Sequence, residues 1–226
     1  MNVIDETLAA GLRILQNNFP ACRAFADETL SGRLTRYIEV IEKDNPALGL
    51  VGVKDRRELV VKHILDSLAP LPLLPLPEDN SVTIADVGSG AGLPGIPLAM
   101  ALPENSFTLI ERMGRRSGFL RNAVAVMELS NVVVEEAEME KAVPGRFDLI
   151  VFRAFHPMDK KMVKHLWRLL KPGGVLAAWK GRRENIEKEM AEAEKTLPQL
   201  SGRWNILPIA VPLLEGERHL CLITNC

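Results

Sequence analysis

A glycine-rich turn is the part of this sequence that most directly predicts chemistry. Residues 85–100 read ADVGSGAGLPGIPLAM, with Gly88, Gly90 and Gly92 at alternate positions. Glycine lets a backbone turn tightly and approach a ligand, because no Cβ stands in the way. A plain junction between a strand and a helix needs only one such residue, so the three glycines favour a ligand-binding turn.

The kind of ligand depends on Asp86, which precedes the first turn glycine. Gly90, Gly92 and Gly95 match the G-x-G-x-x-G fingerprint of dinucleotide-binding turns, but that match alone has little specificity. A carboxylate repels a pyrophosphate and attracts the ammonium group of an amino acid. The pattern therefore predicts a nucleoside that carries an amino acid, S-adenosylmethionine (SAM). Glu111, which ends the next predicted strand, would accept both ribose hydroxyls of either kind of ligand.

The segments around the turn predict an open, doubly wound α/β fold. Short apolar segments alternate with helical ones, a pattern typical of a parallel sheet covered on both faces. The last two apolar segments are joined only by a turn and predict an antiparallel hairpin at one edge. In such a sheet the ligand lies at the carboxyl ends of the strands. The predicted strands are 82–87, 107–111, 131–136, 147–154, 172–181, 203–211 and 217–224.

The chain before the sheet is predicted to be helical. Residues 1–70 form an N-terminal helical extension, residues 71–81 a proline-rich connector, and residues 82–226 the domain that carries the glycine turn. Apolar residues recur at helical spacing in the extension, and Ser31 stands where an N-cap is expected. The connector can be neither a helix nor a central strand, because proline has no backbone N–H to donate.

The composition excludes several classes of protein. Of 226 residues, 47% are hydrophobic and 25% charged, which is typical of a globular chain. The net charge of −1 gives no global attraction to nucleic acid, so a polyanion would have to meet a local basic patch. Three unpaired cysteines and four scattered histidines predict a reduced, cytoplasmic protein without a metal site. No apolar run approaches the ~20 residues that span a bilayer, so we expect no membrane partner.

Several motifs together resemble one family, the glucose-inhibited division B family of bacterial guanine-N7 methyltransferases of 16S ribosomal RNA. They are DVGSGAGLPGIPLA, LIERMGRRSGFL, FRAF, LKPGG, VVKHILDSL and WKG, and they cover roughly two thirds of the chain. The Leu-Pro-Gly-Ile-Pro continuation of the turn is the specific part. The resemblance implies a class I, Rossmann-like methyltransferase fold with a mainly parallel seven-stranded sheet, an antiparallel terminal hairpin and an N-terminal helical extension. It also implies an enzyme that uses SAM to modify 16S ribosomal RNA or the small ribosomal subunit, and we expect this protein to be a monomer.

The resemblance adds site residues to those that the turn predicts. It implies cofactor contacts at Gly88 and Leu93, contacts near the adenine at Ala137 and Glu138, and a contact at Arg153, which ends the fourth strand. The predicted cofactor-binding set is Asp86, Gly88, Gly90, Gly92, Leu93, Glu111, Ala137, Glu138 and Arg153. The candidates for contacting or positioning the substrate are Arg153, His63, Lys62 and Lys180.

No catalytic residue is assigned. Guanine N7 carries a lone pair and no proton at neutral pH, so a general base is not required. The product base is cationic, and a nearby arginine would oppose it, so we expect Arg153 to orient the cofactor or the backbone. An ion pair with a helix residue is the alternative role. His63, on the apolar face of its helix, is either a core histidine or a contact to RNA or cofactor.

Two basic runs are candidates for binding RNA. One follows the second strand and the other lies on the helix after the fourth strand. Charge runs are often only solvated faces, whereas two runs that flank the carboxyl edge of a sheet suit a phosphate-binding rim, and both readings stay open. The candidates are Arg112, Arg115, Arg116, Arg121, Lys160, Lys161 and Lys164.

One departure from the family pattern concerns the loop before His63. Relatives usually carry Asn-Leu-Thr about fourteen residues upstream of this histidine, where this chain has Gly49, Leu50 and Val51, with Asn45 nearby but out of register. A role of that loop in substrate positioning is therefore not carried over. A methyltransferase for a small molecule and a non-catalytic module that binds the cofactor remain alternatives. A nicotinamide-dependent oxidoreductase is disfavoured, because no hydride-transfer constellation accompanies the single tyrosine, Tyr37.

Overall fold

A single mixed sheet organises the chain. In the computed structural model, which describes residues 5–77, 81–153 and 158–225, seven strands follow the order β3-β2-β1-β4-β5-β7-β6. Strands β1 to β5 are parallel, and β7 lies antiparallel between β5 and β6. The strands are β1 (Thr83–Val87), β2 (Ser106–Glu111), β3 (Val132–Glu136), β4 (Phe147–Arg153), β5 (Leu170–Lys180), β6 (Trp204–Pro208) and β7 (His219–Thr224). The predicted doubly wound sheet and its terminal hairpin are confirmed.

Helices cover both faces of this sheet. Short 3₁₀ turns, at Arg23–Ala26, Leu71–Leu73 and Pro198–Leu200, lie between them. The helices are α1 (Glu6–Asn18), α2 (Glu28–Leu48), α3 (Arg56–Leu59), α4 (Asp66–Leu68), α5 (Gly95–Ala101), α6 (Gly114–Val126), α7 (Lys160–Leu169) and α8 (Arg183–Thr196). A π-helical segment, Val60–Leu65, joins α3 to α4 without a break. Such segments are rare and occur frequently at functional sites.

Two local features differ from the simplest reading of the sequence. The connection between β3 and β4, residues 137–146, contains only turns and bends, so this unit of the alternation lacks a helix. Helix α2 begins at Glu28, where Asp27 accepts a hydrogen bond from the Thr29 amide at 2.8 Å. Ser31 as N-cap is therefore wrong, because an aspartate one turn earlier already caps the helix.

The buried side chains form two layers, one on each face of the sheet. Alternate strand residues point to opposite faces, as a pleated strand requires. Ile84 and Leu149 pack with the N-terminal helices and with α5 and α6, whereas Ala85 and Ile150 pack with α7 and α8. The predicted division into residues 1–70, 71–81 and 82–226 stays a prediction, but the extension shares its core with the sheet.

Tyr37 connects the extension to the glycine turn. Its side chain is completely buried on α2, and its hydroxyl donates a hydrogen bond to the carbonyl of Ala91. Burial raises the pKa of Tyr37 well above its usual value, so the hydroxyl keeps its proton. A Cβ at Gly92 would lie 2.9 Å from the same hydroxyl. Helix α2 therefore helps to set the shape of the turn.

We expect Tyr37→Phe to lower the free energy of unfolding by about 1–2 kcal/mol, because the buried carbonyl of Ala91 loses a donor. The amides of Gly92 and Leu93 should then exchange their hydrogens faster. Thr35→Val is the matched control, since it deletes another buried hydroxyl of α2 that bonds only within the helix, to Ser31 O at 2.9 Å. Urea titration and hydrogen exchange check this. Turn amides that are protected equally in both variants would contradict the role of Tyr37.

Candidate active site

A cavity of about 690 Å³ lies at the carboxyl ends of β1, β2 and β4, the edge where the ligand was predicted. Its volume falls within the usual range for sites that bind small molecules and cofactors. The lining residues come from the glycine turn, the ends of β2 and β4, the loop after β3 and the start of α7. They are Val87, Gly88, Ile110, Glu111, Arg112, Met113, Arg116, Ala137, Glu138, Met139, Glu140, Arg153 and Met162.

The glycine turn forms one wall of this cavity. The φ angles of Gly88, Gly90 and Gly92 are 71°, 58° and 80°, a region that favours glycine strongly over other residues. The Gly88 amide donates to the carbonyl of Ile110 at 2.9 Å, which ties the turn to the end of β2. Leu93 is buried behind the turn, and it is absent from the lining.

Asp86 lies beneath the turn. Its side chain is 1% exposed, and Oδ2 accepts hydrogen bonds from Ser89 Oγ at 2.8 Å and from the Gly95 amide at 2.9 Å. Burial raises the pKa of this carboxyl to about 6. A Cβ at Gly95 would lie 2.6 Å from Asp86 Oδ2, so the carboxylate also requires a glycine there. In this structure Asp86 holds the turn against α5, and its contact with a cofactor ammonium stays a prediction.

Glu111 reaches the cavity at the end of β2. Its side chain accepts hydrogen bonds from the amides of Gly90 and Met113, both at 2.9 Å. Each carboxylate oxygen has a second lone pair, so the side chain can also accept from ligand hydroxyls. Ala137 and Glu138 lie in the adjacent wall, where the Ala137 amide donates to the carbonyl of Glu111 at 3.1 Å.

Arg153 connects the end of β4 to the π-helical segment. Nη1 donates to the Lys62 carbonyl at 3.2 Å and to Asp66 Oδ2 at 3.1 Å, and Nη2 lies 2.7 Å from His63 Nδ1. The side chain is 14% exposed and lines the cavity. The predicted role in orienting the backbone therefore has a structural basis, as does the alternative of an ion pair with a helix residue.

Asp66 is the residue that the site prediction missed. It is 2% exposed, and its second oxygen, Oδ1, accepts from Arg218 Nε at 3.1 Å. Its carbonyl accepts from Trp179 Nε1 at 2.9 Å. The VVKHILDSL motif contains Asp66 and could have indicated it as a site residue. No sequence motif surrounds Arg218. One buried carboxylate thus lies between two guanidinium groups.

His63 is mostly buried beside this ion pair. Burial, followed by the charge of Arg153, lowers the pKa of His63 to about 4, so the ring is neutral at neutral pH. Lys62 contributes only its carbonyl to Arg153, because its ammonium forms an ion pair with Glu58. The sequence analysis grouped Lys62 and His63 with Arg153. In the structure the imidazole of His63 contacts the guanidinium of Arg153, whereas the side chain of Lys62 does not.

Lys180 lies apart from this cavity. Its Nζ lies 2.8 Å and 3.0 Å from the two carboxylate oxygens of Glu189 on α8. Lys180 and Glu189 line a second cavity, together with Met158 and Asp159. No sequence pattern indicated Glu189 as the partner. Of the FRAF motif, Ala154 and Phe155 lie outside the described residues.

The basic candidates have different environments. Arg112 and Arg116 line the cavity, and Arg121 pairs with Glu136 at 3.1 Å. The remaining four candidates are exposed, and none forms an ion pair with another described residue. We call these four residues the exposed basic rim: Arg115, Lys160, Lys161 and Lys164.

Asn45 closes the loop that departs from the family pattern. Its amide group donates to the Val51 carbonyl at 3.0 Å and accepts from the Val51 amide at 2.9 Å. Gly49 ends α2 with a φ of 57°. The out-of-register asparagine therefore has a structural role, which its position in the sequence alone did not reveal.

A family model described as rRNA small subunit methyltransferase G matches residues 31–219. The chain belongs to this family. Proteins named ribosomal RNA small subunit methyltransferase G from Treponema pallidum (strain Nichols) and Stenotrophomonas maltophilia (strain K279a) are 41% and 38% identical to it. The alignments span 87% and 88% of this chain, and 86% and 89% of the relatives. The predicted family is confirmed.

Two solved structures share the fold of this chain. A SAM-dependent methyltransferase from Aquifex aeolicus has a TM-score of 0.58 at 19% identity, over 84% of this chain and 98% of its own. The tRNA (m1A58) methyltransferase TrmI from the same organism has a TM-score of 0.55 at 13% identity, over 72% and 68%. These likenesses concern the fold alone, and they confirm the predicted class I architecture.

Membership of the methyltransferase G family implies the use of SAM, and the cavity suits it. Gly88 brings backbone without a side chain to the cavity, although Gly90 and Gly92 do not line it, and Glu111 offers a carboxylate to hydroxyl groups. Among the described residues, no group of three or more His, Cys, Asp or Glu could hold a metal ion. No helix in the described part of the chain is long and apolar enough to cross a bilayer.

We expect Gly88→Val to abolish SAM binding, because a β-branched side chain would enter the cavity and strain a residue at a φ of 71°. Gly145→Val is the matched control. Gly145 has a φ of 67°, a Cβ added to it would meet no atom within 4 Å, and it does not line the cavity. Calorimetry with SAM on both folded variants checks this. Wild-type affinity in Gly88→Val would contradict the location of the site.

Proposed function

We propose that this chain transfers the methyl group of SAM to N7 of a guanine in 16S ribosomal RNA of the small subunit. The observation that carries the proposal is the cavity between the glycine turn and Arg153, in a chain of the methyltransferase G family. Its relatives' names specify small-subunit ribosomal RNA, and the guanine N7 target follows from the family resemblance. An activity on ribosomal RNA is expected in the cytoplasm.

The cofactor would extend from the loop after β3 to Arg153. Glu111 would bind the ribose hydroxyls, Ala137 and Glu138 would lie near the adenine, and Gly88 would contact the amino-acid end above Asp86. The sulfonium of SAM supplies an activated methyl group. The complete proposed set is that predicted from the sequence: Asp86, Gly88, Gly90, Gly92, Leu93, Glu111, Ala137, Glu138 and Arg153.

The geometry supports transfer without a general base. Arg153 donates a hydrogen bond to Nδ1 of His63, so this nitrogen is not free to accept a proton from a substrate. The lowered pKa of the ring also makes His63 a weak base. N7 already carries its lone pair, so the protein needs only to align it with the methyl group. Asp66 compensates the charge of Arg153 close to the place where a cationic product forms. Arg153 and Asp66 are therefore positioning residues in this proposal.

The exposed basic rim would bind the phosphates of the RNA. Lys160, Lys161 and Lys164 lie on α7, the next described helix along the chain after β4. Arg115 begins α6, after the carboxyl end of β2. Cations at one edge of the sheet suit a backbone that passes over the cavity.

The direct test uses unmodified small-subunit RNA from cells that lack this protein. We expect labelled SAM to yield N7-methylguanine at a single mapped position. Incorporation only into metabolite pools would favour a methyltransferase for a small molecule. Binding of SAM without turnover on RNA, on assembled subunits or on metabolites would favour a non-catalytic module.

We expect the rate of methyl transfer to show no ionisation that depends on His63 between about pH 6 and 9. The reason is that the lowered pKa of about 4 keeps the ring neutral throughout this range, in contrast to an ordinary histidine. Single-turnover rates at saturating RNA and SAM, for wild type and His63→Gln, check this. A wild-type rate that rises tenfold per pH unit to a plateau near neutrality, with this dependence lost in the variant, would contradict base-free transfer.

We expect Lys161→Glu to weaken RNA binding and to reduce the slope of log affinity against log salt by about 1, because one phosphate contact is lost. SAM affinity should not change, since Lys161 does not line the cavity. The matched control is Lys195→Glu in the last turn of α8, at the opposite edge of the sheet. Filter binding at several salt concentrations checks both. Equal effects of the two variants would show that Lys161 belongs to a merely solvated face.

A further inference from the structure

The imidazole of His63 has a fixed tautomer. Arg153 Nη2 lies 2.7 Å from His63 Nδ1. A guanidinium has donors and no acceptor, so Nδ1 must be the acceptor of this hydrogen bond. The single proton of the neutral ring is then on Nε2. Two further contacts of Arg153, with Asp66 and with the backbone of Lys62, hold the guanidinium that selects this tautomer.

The Nε2–H group is an available donor. No hydrogen bond joins it to any of the described residues, although Nδ1 on the same ring is paired. It is not enclosed either, because the enclosed unpaired side-chain atoms of the described residues are Ser31 Oγ and Trp167 Nε1. His63 itself does not line the cavity, but its ring lies one hydrogen bond from Arg153, which does. His63 therefore carries an oriented donor that is not enclosed, beside a lining residue of the cavity.

We propose that His63 is a specificity-determining residue that donates its Nε2–H to O6 of the target guanine. This inference rests on the proposed function and deepens it, because it names the contact that distinguishes guanine from adenine. Guanine presents N7 and O6 as adjacent acceptors, whereas adenine presents N7 beside the N6 donor. A donor fixed near the methyl group pairs with guanine and meets a second donor in adenine.

The neighbouring side chains are less suited to this contact. The Arg153 guanidinium is already shared among Asp66, His63 and a backbone carbonyl, and the Lys62 ammonium is paired with Glu58. Both are cations, and a cation in contact with the base would oppose the positive charge that N7 methylation creates. A neutral imidazole donates a hydrogen bond without adding a charge.

A matched pair of variants separates the donor from the rest of the ring. His63→Asn keeps an acceptor for Arg153 near the place of Nδ1 and removes the group at Nε2. His63→Gln places an amide N–H near Nε2. Lys62→Gln is the control, because it changes the neighbouring cationic side chain and leaves the backbone carbonyl that holds Arg153 and the donor of His63 in place.

The experiment compares two RNA substrates. Unmodified small-subunit RNA is prepared with guanosine or with 6-thioguanosine at the mapped methylation site, and single-turnover rates are measured at saturating SAM. Sulfur is a weaker hydrogen-bond acceptor than oxygen, while N7 is retained, and the N7-methylated product is measured separately from any S-methylated product. We expect wild type to act roughly tenfold faster on guanosine, as the loss of one hydrogen bond predicts.

The ratio of the two rates is decisive. It should fall to about one in His63→Asn and stay near the wild-type value in His63→Gln and Lys62→Gln, even where both rates fall. A wild-type ratio near one, or an unchanged ratio in His63→Asn, overturns the inference and leaves the proposed function intact. Should His63→Asn not fold, His63→Ala, which also lacks a group at Nε2, takes its place with the same expected ratio of about one. If wild type forms no N7-methylguanosine in natural RNA, the proposed function fails, and the inference fails with it.

Discussion

The buried carboxylate of Asp66 fixes the positions of the elements beside the cavity, at the carboxyl edge of the sheet. It lies between the guanidinium groups of Arg153 and Arg218, and it is 2% exposed. Breaking such a buried ion pair by removal of one partner costs about 3–5 kcal/mol, because the remaining charge has no water to compensate it. Five elements meet here: α4, which begins with Asp66, the π-helical segment, β4, β5 through Trp179, and the chain before β7. Their relative positions are therefore fixed together.

The N-terminal helices belong to the site as much as the sheet does. Tyr37 supports the glycine turn at one end of the cavity, and the segment around His63 supports Arg153 at the other. The proline-rich connector suggests a boundary in the sequence, yet the buried apolar side chains on either side of it form one cluster. A class I sheet without this extension would lack both supports. The VVKHILDSL motif therefore supports the cavity from one side, as the region around Tyr37 does from the other.

Local patterns predicted the parts of the molecule that depend on local physics. Continuous apolar segments specify buried parallel strands, and the alternating glycines specify a turn whose residues have positive φ. Asp86 was found, but its burial was not, because a sequence does not reveal on which side of a turn a carboxylate lies. Arg218 lies 152 residues from Asp66, and no spacing rule relates them. The charge runs likewise did not indicate that Arg112 and Arg116 line the cavity while Lys160 and Lys161 face solvent.

The hairpin that ends the sheet has a consequence for how the protein is made. Because Arg218 precedes β7, the ribosome must synthesise 152 residues after Asp66 before this carboxylate meets its second partner. Trp179, 113 residues after Asp66, also arrives late. Contacts of such long range form slowly, since a large loop must close before they stabilise the chain. A nascent chain can therefore fold its N-terminal helices early, while the contacts of Asp66 beside the cavity form only after β5 and the residues before β7 have been synthesised.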